Sequence, residues 1–179
     1  MTAGLSDSVR SARRAVLIGA GVCVITFQSF GLLGLRINTS PSLPIGLYST
    51  TQDPAANLVE FCLVEPFATL AIVRRYRDPG ACADGGAPLL KPIVAKAGDT
   101  VELSGAGIAV NGILLRNTAP LVKDTEGRPL QAFPFGRYVV ASGAVWVASS
   151  YHPRSFDSRY FGPIATSTIR SYLRALLLL

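Results

Sequence analysis

The nitrogen bases that could activate a serine in this 179-residue chain are few: one histidine, His152, and three lysines, Lys91, Lys96 and Lys123. A serine hydroxyl is a poor nucleophile until a neighbour takes its proton. A Ser-His-Asp arrangement could use only His152, which stands directly before Pro153 and has no evident carboxylate to orient it. A zinc centre lacks ligands in a sequence with one histidine, so no metal and no cofactor is expected. What remains is serine with a lysine base. Lysine serves as a base only when neutral, and that requires a dry, apolar setting that disfavours the ammonium. Lys123 sits beside Asp124 and Glu126, which favour the charged form. Lys91 is embedded in Pro88-Leu89-Leu90-Lys91-Pro92-Ile93-Val94-Ala95, where a strand would place Leu89, Ile93 and Ala95 on its face. Lys96 falls on the other face, nearer the Gly98-Asp99 turn, and periodicity alone does not choose between the two. The serine candidate is Ser42, stiffened between Pro41 and Pro44, whose rings fix φ.

Composition sets the frame for these residues. Hydrophobic residues make up 49% and charged residues 16%, which excludes a disordered chain. The net charge is only +6, and mean hydropathy is +0.38. The apolar residues concentrate at the start. Residues 15–35 carry no charge, follow Arg10, Arg13 and Arg14, and end at Arg36. As a helix this run would be about 31 Å long, near the hydrocarbon thickness of a bilayer. The arginines place residues 1–14 in the cytoplasm, and residues 36–179 then form the extracytoplasmic domain of a single-pass protein of the inner membrane. A cleavable signal peptide or a twin-arginine export signal fits less well, because the core is long and its flanks are wrong for either.

Past the anchor the chain reads as strands and turns. Apolar runs lie at 57–63, 89–97, 137–141 and 144–148, and Asn111-Gly112 joins two more as a type I′ hairpin over 108–115. Helical spacing is confined to 68–76 and to the apolar tail 166–179, read as a helix packed on the core. Frequent short strands with Gly and Pro punctuation imply a mainly β barrel or sandwich. Cys23 lies in the apolar run, whereas Cys62 and Cys82 both fall in the exported part. They are expected to form a disulfide in an oxidising compartment, stapling 66–80 to the strand at 89–97; the alternative is two buried thiols.

Three short boxes in order, behind an anchor, make a specific pattern. They are Asn38-Thr39-Ser40-Pro41-Ser42-Leu43-Pro44-Ile45-Gly46-Leu47-Tyr48, then Pro88-Leu89-Leu90-Lys91-Pro92 with Gly98-Asp99, then Ser155-Phe156-Asp157-Ser158-Arg159-Tyr160-Phe161-Gly162. Together they resemble the type I signal peptidase family, and within it the TraF-type branch of plasmid transfer systems. The resemblance spans roughly residues 15–165. It implies a signal-peptidase-like β domain in which Ser42 is the nucleophile and Lys91 the general base. It also implies that the Ser40 hydroxyl joins the Ser42 N–H in an oxyanion hole, that Ser155 orients the lysine, and that Asp157 and Arg159 form a supporting ion pair. Two departures stand out. Ser149-Ser150-Tyr151-His152-Pro153-Arg154 occupies the place of the family's Gly-Asp-Asn run, and Pro92 replaces a basic residue after the lysine.

The function so implied is a membrane-anchored serine endopeptidase that processes, and in this branch can cyclise, a membrane-bound prepilin or related conjugative-transfer protein. A general signal peptidase acting on secreted preproteins is the first alternative. A non-catalytic anchored subunit of a transfer or secretion channel is the second. A self-cleaving repressor is disfavoured, because an apolar run rather than a DNA-binding helix pair precedes the β region, and no nucleic-acid partner is expected.

Overall fold

The computed structural model describes residues 33–53 and 55–179. The expected cytoplasmic segment 1–14, Cys23 and most of the expected membrane run lie outside the described residues. The last positions of that run are described and are not helical: Leu33 and Gly34 form a turn, with Gly34 at φ 71°, and Leu35 opens a strand. Among the described residues no helix is long and apolar enough to cross a membrane.

Residues 37–179 form one compact unit, mainly β. In chain order its elements, with the opening strand, are β1 (Leu35–Asn38), β2 (Gly46–Thr51), β3 (Leu58–Phe61), α1 (Phe67–Val73), β4 (Leu89–Ala95), β5 (Thr100–Ser104), β6 (Gly107–Val110), β7 (Ile113–Leu114), β8 (Gly136–Val139), β9 (Ala144–Val147), α2 (Ser158–Phe161), β10 (Ile164–Ala165) and β11 (Ile169–Leu178). Seven strands form one sheet in the order β1-β2-β11-β3-β4-β9-β10, and four form a second in the order β7-β6-β5-β8.

Alternation of side chains explains where the core sits. Val145 and Val147 of β9 face one apolar cluster with Val59, Phe61, Leu89, Ile93, Ala68 and Phe161. Trp146 and Ala148, on the other face, enter a second cluster with Val101, Leu103, Ile108 and Ala95. β9 is thus a wall shared by both cores, and its continuous apolar run reflects burial on two faces. The β4–β9 register shifts between Ile93 and Ala95, which lets β4 contribute to both clusters. The hairpin β6–β7 turns at Asn111 (φ 50°) and Gly112 (φ 83°). A type I′ turn requires this pair of positive values.

The tail corrects the expected helix. β11 lies between β2 and β3 and pairs antiparallel with both. Two bulges, between Ile169 and Ser171 and between Ala175 and Leu177, break its alternation. The first brings Ile169 and Tyr172, three apart, onto the same apolar cluster, whereas Leu173 is buried on its own. A bulge inserts one residue and shifts the phase of the strand, so a bulged strand imitates helical spacing.

The 68–76 expectation becomes α1 at Phe67–Val73. The helix is closed by Arg75 at φ 57°. The Arg75 N–H donates to the Ile72 carbonyl at 2.9 Å, and the Tyr76 N–H to that of Ala71 at 2.8 Å. This is a Schellman-type end.

Cys62 and Cys82 are joined by a disulfide with an S–S distance of 2.04 Å across a sequence separation of 20. Its anchor is the exit of β3 rather than the strand at 89–97, so the closed loop contains the whole of α1. For a loop of this size, reduction or the Cys62→Ser/Cys82→Ser pair is expected to lower stability by about 3 kcal/mol. The drop is read as the difference in thermal or urea midpoints with and without reductant.

Candidate active site

β4 decides which lysine is dry. Its burial alternates along Leu89, Lys91, Ile93 and Ala95, with the intervening residues half-buried, and Lys96 lies beyond the strand in solvent. Lys91 is 4% exposed and pairs in register with Val59, which is wholly buried. Removal from water is the main cause that pushes its amine down to about 8. The Asp157 carboxylate opposes that fall, and the Arg159 guanidinium adds to it. Pro92 has no N–H for the ladder, but its carbonyl still accepts the Ala148 N–H at 3.1 Å.

Ser42 sits in the loop between β1 and β2 and is 7% exposed. The loop is held by side chains. The Asn38 amide donates to the carbonyls of Ser40 (2.9 Å), Leu43 (3.2 Å) and Pro44 (3.1 Å), and its Oδ1 accepts the Ser40 N–H at 3.2 Å. The Tyr48 hydroxyl donates to the Pro44 carbonyl at 2.6 Å. The Ser149 hydroxyl donates to the carbonyl of Ser42 itself. Ser40 lies against the nucleophile candidate: the two hydroxyls are 3.0 Å apart, and the Ser42 N–H donates to Ser40 Oγ at 3.3 Å. The Ser42 N–H is thereby satisfied by the Ser40 oxygen, and the two hydroxyls share one hydrogen bond.

The polar residues of the third box are buried. Asp157 and Arg159 are both fully buried and meet in a two-pronged ion pair, Nε to Oδ1 at 2.8 Å and Nη2 to Oδ2 at 3.0 Å. Asp157 caps α2 through the Arg159 N–H at 3.2 Å and also accepts the Ser149 N–H at 3.1 Å. Arg159 donates to the carbonyls of Asn117 (3.0 Å), Pro153 (2.8 Å) and Ser149 (3.2 Å). Its charge is thereby satisfied without water, as burial demands. Ser155 is 3% exposed, and its Oγ has no hydrogen-bond partner among the described residues. His152 accepts the Arg154 N–H on Nδ1 at 3.1 Å.

Ser42 and Lys91 therefore border one network: Ser42 through its carbonyl on Ser149, and Lys91 through the field of the Asp157–Arg159 pair to which Ser149 is also bonded. Three members have no role that the sequence announces. Asn38 and Tyr48 lie inside the first box, where their polar types in a proline-stiffened loop are the available signal. Ser149 opens the stretch that departs from the family pattern, and nothing in the sequence reveals that it bonds a residue 107 positions away.

The family model for signal peptidases, peptidase S26, matches residues 7–177. The chain belongs to this family of serine peptidases. It is 34% identical over 164 residues to the plasmid transfer protein TraF of Escherichia coli, covering 89% of this chain and 92% of that one. It is 36% identical over 171 residues to the conjugal transfer protein TraF of Agrobacterium tumefaciens, covering 90% and 94%. A probable conjugal transfer protein TraF of Sinorhizobium fredii is 35% identical over 160 residues, covering 87% and 82%. Among solved structures, a signal peptidase I from Enterococcus faecalis aligns with a TM-score of 0.36 at 19% identity, over 72% of this chain and 100% of that one.

Proposed function

We propose that the chain is a membrane-anchored endopeptidase in which Ser42 is the nucleophile and Lys91 the general base, acting on a membrane-bound prepilin or related conjugative-transfer protein. The observation that carries this reading is the burial of Lys91 on the apolar face of β4, with its amine lowered to about 8. An ordinary surface lysine stays charged near pH 7 and cannot accept a proton. The relatives named for plasmid and conjugal transfer support the substrate class.

The steps follow from the residues. Ser42 Oγ turns from Ser40 towards the neutral amine, which takes the hydroxyl proton as the oxygen attacks a carbonyl after a small residue. The negative charge on that carbonyl oxygen is met by the Ser42 N–H and the Ser40 hydroxyl. The Lys91 ammonium then gives its proton to the leaving amine, and an acyl-enzyme remains. Water attacking the ester releases an acid, whereas the substrate's own amino terminus attacking it releases a cyclic product. The unpartnered Ser155 hydroxyl supports a role in orienting the amine, since a buried hydroxyl without a partner is costly to keep. We place the catalytic part outside the cytoplasm, beyond an anchor in residues 15–35, with a transfer apparatus in the inner membrane as its surroundings.

Mass spectrometry of the candidate pilin from cells carrying wild-type or Ser42→Ala protein tests this reading. The expected result is a shortened or cyclised pilin with wild type and the full precursor with Ser42→Ala. Normal processing in the variant overturns it in favour of a non-catalytic channel subunit. Equal processing of ordinary secreted preproteins by wild type favours the general signal peptidase.

A further inference from the structure

We propose that Ser149 is a positioning residue for the nucleophile, the side chain that clamps the carbonyl of Ser42 to the buried Asp157–Arg159 pair. The inference rests on the reading of Ser42 as nucleophile and goes beyond it. Every polar group of Ser149 is committed. Its hydroxyl donates to the Ser42 carbonyl and accepts the Tyr151 N–H at 3.1 Å. Its N–H donates to Asp157 Oδ2 at 3.1 Å, and its carbonyl accepts from Arg159 Nη2 at 3.2 Å. The residue has no exposed surface, so water cannot substitute for any of these partners. The adjoining backbone is braced too: the Asn117 amide donates to the Ser150 carbonyl at 2.8 Å, and Arg159 holds the Asn117 carbonyl.

This arrangement has a catalytic consequence. Fixing the Ser42 carbonyl fixes the peptide plane that leads out of the nucleophile, and with it the direction of Oγ relative to the amine and to the oxyanion donors. A displacement of about 1 Å in a reacting group costs on the order of a hundredfold in rate. Ser149 opens the stretch Ser149-Ser150-Tyr151-His152-Pro153-Arg154, which stands in place of the family's Gly-Asp-Asn run.

The test compares full-length wild type, Ser149→Ala, Ser149→Cys and Ser42→Ala in detergent micelles. The probe is a quenched fluorescent peptide with an Ala-x-Ala cleavage site. Ser149→Ala is expected to lower kcat by about thirtyfold with KM within twofold, because the clamp touches the nucleophile and not the substrate. The pH midpoint of the rate is expected to stay where wild type has it, since the surroundings of Lys91 are unchanged. Ser149→Cys, with a weak S–H donor of similar shape, is expected to fall between the two. If Ser149→Ala melts below the assay temperature, the Cys variant carries the comparison, with reduced kcat and unchanged KM expected. A Ser149→Ala kcat within twofold of wild type, a shift in the pH midpoint, or a Cys variant no better than Ala overturns the clamp. Cleavage by Ser42→Ala overturns the dyad instead, so the two failures are distinguishable.

Discussion

Lys91→Met is expected to abolish cleavage and, in the same stroke, to stabilise the folded chain. Removing a general base lowers the rate by about a thousandfold. The stability change has the opposite sign because Lys91 is buried where its charged form is disfavoured. Its amine falls from 10.5 to about 8, a difference of 2.5. At about 1.36 kcal/mol per pH unit, that is about 3 kcal/mol of penalty carried by the wild type at neutral pH. The sign with pH follows from proton counting. Between pH 8 and 10.5 the unfolded chain binds more protons at this site than the folded one, so wild-type stability rises with pH across that window. Below 8 both states are protonated and the penalty is constant. The Met variant lacks this term. Urea unfolding at pH 7 and at 10.5 is expected to show the variant more stable by about 3 kcal/mol at the lower pH, with the advantage vanishing at the higher. The wild-type rate is expected to climb about tenfold per pH unit below pH 7 and to level off above 8, as the neutral fraction of the base grows. A lysine variant of unchanged stability and activity refutes the assignment.

Arg159→Ala has the largest expected effect on folding. It strips Asp157 of its partner in a site with no exposure and leaves the Asn117, Pro153 and Ser149 carbonyls without a donor. Breaking one side of a buried pair costs about 4 kcal/mol, a large share of a typical domain's total. Chemical denaturation of the full chain measures it. The pair also acts on Lys91 with two signs: Asp157 raises the amine and Arg159 lowers it. Asp157→Asn is therefore expected to move the midpoint of the pH–rate curve below that of wild type, and any active Arg159 variant above it. Opposite shifts separate an electrostatic effect on the base from a general loss of structure. Shifts of the same sign, or none, mean that the pair supports the fold without tuning the amine.

Legibility in the sequence follows the range of the interactions. The strands at Leu58–Phe61, Leu89–Ala95 and Ala144–Val147, and the turn at Asn111 and Gly112, declare themselves because alternation and turn chemistry are local. β2 and β5 do not stand out, since Gly46–Thr51 and Thr100–Ser104 carry too few large apolar residues. The tail reads as a helix because its two bulges shift the phase of a strand, and only the gap between β2 and β3 reveals what conformation fills it.

The same division runs through the site. For the proposed serine with a nitrogen base, residue types alone leave one histidine and three lysines to choose from. Which lysine loses its water is a tertiary decision. Both candidates lie among apolar neighbours in sequence, but pairing of β4 with the buried Val59 of β3 leaves position 91 dry, whereas 96 lies beyond the strand and is wet. The grip of Ser149 on Ser42 is a tertiary decision too. A hydrogen bond between residues 107 apart leaves no periodicity behind, since it exists only once β9 and the loop after β1 have been folded against each other.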